Sequence, residues 1–438
     1  MPDTSASMPS SATARHAPDL ATSRSAFPSL SLAVDGQPAV YLDNPGGTQV
    51  PQRCIDAMVE YLSQANANTH GAFLTSARTD TMLDAARAGM AALLGAADPR
   101  EIVFGPNMTT LTFALSRAIG RTLKPGDEII VTALDHDANV APWLALEEER
   151  GVVVRVAEVE LPSCTLDMTG LKALINERTR LIAVGYASNA AGTINDVATV
   201  AGWARAAGAL SFIDAVQFAP HGPIDVQMLG CDFLACSAYK FFGPHLGIVY
   251  GKLPLLESIA AYKVRPSDAH APGKWETGTL NHECLAGLVG TLDYLASLGR
   301  DHAALYADAF PAATGQRRDL LIALSAIQAY ERELVARLLD GLRTLPGVHI
   351  YGLTAHTDLT RRVPTVALTV DGYTPRALAA ALGERGIFAW DGNYYAVNLM
   401  ERLGLEDTGG ALRLGLAHYN TFAEVERTLA ALREIVTR

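Results

Sequence analysis

Residues 209–240 read ALSFIDAVQFAPHGPIDVQMLGCDFLACSAYK, and this stretch decides the fold. It holds two short apolar runs, Ala209–Ile213 and Asp232–Cys236, whose length and composition predict buried strands. Asp214 directly follows the first run, and Lys240 comes four residues after the second. The stretch therefore predicts two strands with a carboxylate and an amine beyond their carboxyl ends.

The same alternation of short apolar runs and longer helical patterns extends from Val40 onward. The other predicted strands are Glu101–Phe104, Glu128–Ala133, Val152–Val159, Leu181–Tyr186 and Gly247–Tyr250. The predicted helices between the strands include Thr109–Thr122, Asn139–Gly151, Met168–Asn176 and Val197–Ala207. This alternation predicts an α/β protein with a mainly parallel sheet, because crossover helices pack back onto both faces of such a sheet.

Ligands of open parallel sheets bind at the carboxyl ends of the strands, so the residues after each run are candidates for a site. Polar side chains follow five of the runs: Thr109, His136, Asn189, Asp214 with Gln217, and Ser237 with Lys240. An ordinary cap or turn would explain any one of them. Together they predict one polar site at this edge of the sheet.

Composition and charge exclude several classes of protein. The 438 residues, 49% apolar and 18% charged, are typical of a folded chain of two or three domains, and no apolar run approaches the ~20 residues of a membrane span. A formal net charge of −11 disfavours nucleic acid as a partner. The five cysteines are scattered and include no C-x-x-C pair, so we expect a cytoplasmic protein without a disulfide framework or a metal site.

The run D-A-V-Q at 214–217, followed by S-A-Y-K at 237–240, resembles the class V aminotransferase and cysteine desulfurase group of fold-type I pyridoxal-phosphate enzymes. The resemblance extends from about Tyr41 to Thr421 and implies pyridoxal 5′-phosphate as the cofactor. It also implies a large domain with a mainly parallel sheet and a smaller α+β domain. An amino acid is then the expected substrate.

The resemblance assigns a role to each residue that would surround the cofactor ring. Lys240 matches the Schiff-base lysine, whose amine must lose its proton before it attacks an aldehyde. Asp214 matches the carboxylate beneath the pyridine nitrogen, and Gln217 the amide that binds the phenolic oxygen. His136 matches the imidazole stacked on the ring, where it can also move protons. Asn189 should lie near the phenolic oxygen and the substrate carboxylate.

The expected phosphate ligands include the start of a predicted helix. Thr109 opens that helix, Met108 would contribute its backbone, and Ser237 adds a hydroxyl. The string W-E-T-G-T at 275–279 matches the segment that the family takes from a neighbouring subunit, with Thr279 as the donor. The resemblance therefore implies a homodimer with composite sites.

The substrate is expected to meet a second group of residues. Arg413, in A-L-R-L-G-L-A-H-Y-N-T, matches the arginine that grips the α-carboxylate, with Asn189 beside it. Gly47, in the string D-N-P-G-G, lines the pocket in the family. His70 is the second residue of a pair that tends to be His-Arg in the closest relatives, and Tyr239 stands where desulfurases commonly carry His.

One departure from the family concerns the reaction itself. Cysteine desulfurases carry a nucleophilic cysteine on a loop before the substrate arginine, but Tyr395 aligns with that position and no cysteine follows Cys284. A phenol cannot form a persulfide, so Tyr395 becomes a candidate catalytic residue of another kind. We therefore predict a lyase that cleaves a Cβ substituent, C–S lyase or desulfinase-like. An epimerase, a carbon–carbon bond-forming enzyme and an aminotransferase are the competing predictions.

The ends of the chain complete the expected organisation. Residues 1–24 are rich in Ser, Ala, Thr and Pro and are expected to form a flexible tail. We expect residues 25–40 to join the small domain, which the family places after the large domain. The expected boundaries are 41–290 for the large domain and 291–438 for the small domain.

Overall fold

A computed structural model describes residues 18–437 of the chain. Its central sheet has seven strands: β1 (Ile102–Gly105), β2 (Glu128–Thr132), β3 (Val153–Ala157), β4 (Thr179–Gly185), β5 (Leu210–Asp214), β6 (Phe233–Ser237) and β7 (Gly247–Gly251). The spatial order is β1-β7-β6-β5-β4-β2-β3. Only β7 runs antiparallel to its neighbours, so the prediction of a mainly parallel sheet is confirmed.

Helices cover both faces of this sheet, which is why every residue of β1, β2, β6 and β7 is buried. The helices are α1 (Gln52–Gln64), α2 (Leu74–Leu94), α3 (Met108–Gly120), α4 (Ala141–Arg150), α5 (Met168–Leu174), α6 (Val197–Ala206), α7 (Val226–Leu229), α8 (Leu253–Ser258), α9 (His282–Asp301), α10 (Gly315–Leu342), α11 (Pro375–Gly383), α12 (Val397–Arg402) and α13 (Phe422–Val436). Within the described residues, none of the helices combines the length and apolar character that a membrane span requires.

A second sheet lies in the C-terminal part of the chain. It contains β8 (Val348–Tyr351), β9 (Thr365–Val370), β10 (Trp390–Gly392) and β11 (Ala411–Gly415), all antiparallel in the order β8-β9-β11-β10. One hydrophobic cluster contains Ile213 of β5, Leu334 of α10 and Leu412 of β11. The two sheets therefore share a continuous core, which fixes the cavity between them.

The N-terminal segment packs onto this core. Leu20 and Phe27 are buried, and Arg24 Nη1 lies 2.8 Å from Glu424 Oε1 at the start of α13. Ordered structure thus begins before residue 25, where we expected the tail to end; residues 1–17 of that tail lie outside the described residues. The short strand Val40–Tyr41 pairs with Ile387–Phe388 and ties the segment to the C-terminal part.

One predicted strand is shorter than expected. The strand predicted over 152–159 ends at Ala157, and Val159–Glu160 instead pairs with Thr165–Leu166 in a small hairpin. Pro162 lies in the hairpin turn and has no N–H to continue a ladder, so the chain reverses here.

Candidate active site

A cavity of about 360 Å³ opens where the carboxyl ends of the parallel strands face β10 and β11. Most of the residues predicted from sequence line it: Met108, Thr109, His136, Asn189, Asp214, Gln217, Ser237, Tyr239, Lys240, Tyr395 and Arg413. Asp214 and Lys240 come together here because they follow neighbouring strands of one sheet, which is the arrangement that the carboxyl-end rule describes.

Lys240 enters the cavity from a short 3₁₀ turn after β6. Its Nζ donates to the carbonyl oxygens of Pro45 and Gly46, the second at 3.1 Å. Burial and then the positive charge of Arg413 lower the pKa of the Lys240 amine to about 7, although two nearby carboxylates act in the opposite direction. A large fraction of the amine is therefore neutral near pH 7, the form that attacks an aldehyde.

Asp214 is the last residue of β5, and only 8% of its surface is exposed. Its Oδ1 accepts a hydrogen bond from Val216 N at 2.9 Å. Burial raises the pKa of Asp214 to about 6, against the smaller opposing effects of this hydrogen bond and of Lys240. A buried carboxylate in this position is stabilised by a cationic partner such as a protonated ring nitrogen.

Gln217 follows Asp214 in a turn rather than in a helix. The Asp214 carboxylate takes the Val216 N–H and folds the chain back on itself instead. The Gln217 side chain is buried, and its Nε2 donates to Thr365 Oγ1 at 3.0 Å. This contact ties the cavity floor to β9 of the second sheet.

His136 follows β2 and stacks on Tyr395, with ring centroids 5.4 Å apart and planes inclined by 23°. Its Nδ1 accepts from Ala138 N at 3.0 Å, a bond that assigns the remaining ring proton to Nε2. Burial, followed by the charges of Lys240 and Arg413, lowers the pKa of His136 to about 4. The imidazole is therefore neutral at pH 7.

The segment around Tyr395 is fixed to the rest of the site. Tyr394 and Tyr395 have φ of 55° and 59°, a left-handed conformation that costs bulky residues of order 1–3 kcal/mol each. Tyr394 O accepts from Asn189 Nδ2 at 2.8 Å, and Tyr395 O accepts from Asp137 N at 2.7 Å. These bonds hold the two tyrosines in a conformation that they would not adopt by themselves.

Met108 and Thr109 begin α3, whose N-terminus faces the cavity. The side chain of Asn107 caps this helix, and the buried Ser237 hydroxyl lies on the same wall. The loop comes so close to β7 that a Cβ at Gly247 would lie 2.2 Å from the Asn107 carbonyl carbon. Free N–H groups at a helix start and a nearby hydroxyl are groups that can bind an anion.

Arg413 extends from β11 into the cavity and is 4% exposed. Its Nη1 donates to Asn189 O at 3.0 Å and its Nη2 to Asp43 Oδ1 at 3.3 Å. The guanidinium carbon lies 4.3 Å from the centroid of the Tyr394 ring. These three contacts fix the plane of the guanidinium group.

Two buried polar atoms at this end of the cavity have no hydrogen-bond partner among residues 18–437: Arg413 Nε and Asn189 Oδ1. Buried polar atoms are rarely left unpaired, and because these two lie at the cavity each is available to a ligand group. A carboxylate matches the guanidinium N–H, and an N–H or O–H donor matches the amide oxygen. An amino acid carries both kinds of group.

Three predicted residues lie outside the cavity wall. Exposed His70 and Thr279 line a separate cavity of about 760 Å³, where His70 Nδ1 is 3.3 Å from Asp80 Oδ1. Gly47 instead packs below the ring of Tyr239: a Cβ at Gly47 would lie 3.4 Å from that ring. The Tyr239 ring in turn stacks on His245, with centroids 4.9 Å apart.

Sequence reasoning missed two carboxylates of the cavity. Asp43 begins the string D-N-P-G-G and pairs with Arg413, while Asp135 directly precedes His136 and is 4% exposed. The string L-D-H-D-A-N contained the signal for Asp135, because it places a second acid at the strand end. Only the fold shows that Asp135 turns inward while Asp137 stays partly exposed.

Comparison with known sequences places these residues in a family context. The family described as Aminotransferase class-V matches residues 40–317 and 312–428. A cysteine desulfurase of Pectobacterium carotovorum subsp. carotovorum is 33% identical over 427 residues, which cover 94% of this chain and 97% of that relative. A cysteine desulfurase of Synechococcus elongatus is 32% identical over 433 residues, covering 96% of this chain and 64% of its own length.

Solved structures show the same similarity. The cysteine desulfurase CsdA from Escherichia coli superimposes with a TM-score of 0.80 at 28% identity, covering 95% of this chain and 98% of its own. The cysteine desulfurase from Thermococcus onnurineus gives a TM-score of 0.79 at 27% identity, covering 91% of this chain and 95% of its own.

Proposed function

The chain belongs to the class V aminotransferase family, in which pyridoxal 5′-phosphate is the cofactor, and from this premise we propose that it is a lyase. Its substrate is an α-amino acid with a leaving group, sulfur in the first instance, on Cβ. It releases that group as a small molecule and does not pass sulfur to a cysteine of its own.

The residues around the cavity fit this cofactor. The neutral amine of Lys240 suits an aldehyde, and the buried Asp214 suits a protonated ring nitrogen. Met108, Thr109 and Ser237 would bind the phosphate at the start of α3. When bound, the cofactor supplies an electron sink for the charge that develops at Cα.

The chain's own side chains account for the rest of the reaction. Arg413 binds the α-carboxylate next to Asn189, and the Lys240 amine takes the proton from Cα, as its lowered pKa allows. The electrons of the Cα–H bond form a Cα–Cβ double bond, and the substituent leaves with the electron pair of its bond to Cβ. Tyr395, at the cavity mouth, gives that leaving group a proton.

One observation carries the proposal of a lyase without a persulfide. All five cysteines lie within the described residues, and none of them lines the cavity. Four are buried, and burial raises the pKa of every cysteine thiol, including that of the partly exposed Cys284. Thiols of this kind are poor nucleophiles.

Incubation of the cofactor-loaded protein with cysteine, cysteine sulfinate and S-substituted cysteines tests the function. We expect a released sulfur species in an amount equal to pyruvate, with no added thiol acceptor. The Cys284→Ser variant should react at the wild-type rate, since no cysteine takes part.

Deuterium exchange at Cα without release of a sulfur species would instead identify an epimerase. A new carbon–carbon bond would identify a bond-forming enzyme, and a transferred amino group would identify an aminotransferase.

The Tyr395→Phe variant tests the proposed proton donor. Loss of the hydroxyl should lower kcat by about 100-fold with little change in KM, because general acids contribute about 10²–10⁴-fold and the ring stays stacked on His136. The Tyr395→Ala variant, which also loses the stack, should show an additional rise in KM. Wild-type kcat in Tyr395→Phe would exclude this role.

We also propose that the protein acts as a homodimer in which Thr279 completes the phosphate site of the other protomer. This arrangement would explain why Thr279 and His70 lie together, away from the cavity of their own chain. To test this, the Lys240→Ala and Thr279→Ala chains are unfolded, mixed and refolded together. In each mixed dimer one of the two sites would then contain both Lys240 and Thr279. Activity above that of either variant alone is expected, and its absence would contradict a shared site.

A further inference from the structure

Asp135 is a second buried carboxylate at the strand ends, and the proposed elimination does not use it. It lies between β2 and α4 and lines the same cavity as Asp214. Its Oδ1 accepts from Gly185 N at 2.7 Å, and its Oδ2 accepts from Asn139 Nδ2 at 2.8 Å. Both partners are N–H donors, which favours the ionised carboxylate.

The amide of Asn139 is itself held in one orientation. It is fully buried, and its Oδ1 faces the indole N–H of Trp143 at 3.5 Å. The Nδ2 group therefore points to Asp135 and cannot turn its oxygen towards that carboxylate without losing the indole contact. Neither of these two groups can accept a proton from Asp135; the Thr132 hydroxyl, which also contacts this carboxyl, can donate or accept.

The backbone of β4 brings Asp135 close to Asp214. Gly185, which binds the Asp135 carboxylate, is the register partner of Asp214 in the adjacent strand β5. Neighbouring strands lie about 4.8 Å apart. A Cβ at Gly185 would lie 2.7 Å from Asp135 Oδ1, so glycine leaves the space in which this carboxylate sits.

Other charged groups of the cavity do not neutralise Asp135. The titratable groups that face the cavity with it are Asp43, His136, Asp214, Tyr239, Lys240, Asp391, Tyr394, Tyr395 and Arg413. Among their charges, that of Asp214 has the largest effect on Asp135; after burial, it helps to raise the pKa of Asp135 to about 7. The Arg413 guanidinium is already paired with Asp43.

We propose that Asp135 and Asp214 act as a carboxylate pair, in which Asp135 is a positioning residue whose negative charge strengthens the hold of Asp214 on a protonated ring nitrogen. This inference rests on the proposed use of pyridoxal 5′-phosphate at Lys240. With a cationic ring above Asp214, both carboxylates can remain ionised, because the ring proton offsets the charge of the pair. Removing one charge weakens the binding of that proton.

The Asp135→Asn variant of the cofactor-loaded protein tests the pair. The pH midpoint of the visible absorption band should move to lower pH by about one unit, since a nearby negative charge is lost. The matched control is Asp137→Asn, which removes a carboxylate from the same turn but outside the cavity wall, and it should leave the midpoint in place. Asp135→Glu, which keeps the charge, should restore the wild-type midpoint.

A second measurement does not depend on any variant or on activity. Infrared titration of the full-length wild-type protein without added cofactor should show two buried carboxyl groups that titrate in separate steps above the usual aspartate range. A single step, or an unchanged midpoint in folded Asp135→Asn, would overturn the inference. If the wild type shows no visible band at all, the cofactor assignment itself fails, so the two failures are distinguishable.

Discussion

Replacement of Lys240 by alanine is expected to abolish the visible absorption band of the cofactor-loaded protein and to lower turnover by more than about 10⁴-fold. The variant loses both the amine that would bind the cofactor aldehyde and the base that takes the Cα proton. Absorption spectra after incubation with pyridoxal 5′-phosphate, together with assays on the substrate panel, measure the two losses separately.

The matched control is Lys252→Ala. Lys252 pairs with Asp232, which precedes β6, so it lies at the opposite end of that strand from Lys240. The Lys252→Ala variant should take up the cofactor as the wild type does. A Lys240→Ala variant that retains the band would show that another group holds the cofactor.

The same amine sets the pH dependence of cofactor uptake. Because its pKa is lowered to about 7, the neutral fraction of Lys240 rises as pH increases through 7. The uptake rate should therefore increase about tenfold per pH unit below 7 and level off above it. In the Lys252→Ala control the same profile is expected.

Replacement of Arg413 by methionine should raise KM for the amino acid by about 100-fold or more. Two charge-assisted hydrogen bonds to a carboxylate are lost, at about 1.5–3 kcal/mol each, while methionine keeps the length and packing of the stem. Steady-state kinetics with a series of amino acids gives the change in KM. The corresponding amines, which lack the carboxylate, should react equally with both proteins.

Arg413→Lys separates charge from shape. It keeps the positive charge but loses the planar fork that contacts Asn189 and Asp43, so we expect a KM between those of the wild type and Arg413→Met. In Arg413→Met the pH profile of cofactor uptake should also move to higher pH, because Arg413 helps to lower the pKa of Lys240. An unchanged KM in Arg413→Met would exclude the proposed carboxylate site.

The parts of the site that the sequence predicted are those that depend on local pattern. Asp214 and Lys240 each follow a short apolar run, and parallel strands bring such positions together whatever the rest of the chain does. Arg413 was named from the family resemblance, and its strand is buried along its whole length. For Asp214 and Lys240 the strand pattern alone was enough to predict that they lie close together.

The parts that the sequence missed depend on contacts between distant segments. Asp135 turns inward only because Gly185, fifty residues away, leaves room for it. The order at residues 18–24 depends on Glu424, at the other end of the chain.

The left-handed backbone at Tyr394 and Tyr395 affects how a product can leave the site. Their carbonyl groups are hydrogen-bonded to Asn189 and to Asp137, which follow different strands of the central sheet, so moving this backbone segment away from His136 would break both bonds. Carrying a group attached to this segment outward to a second protein would require that rearrangement. In the proposed lyase reaction no group is attached to this segment, so the released product would leave the cavity by diffusion.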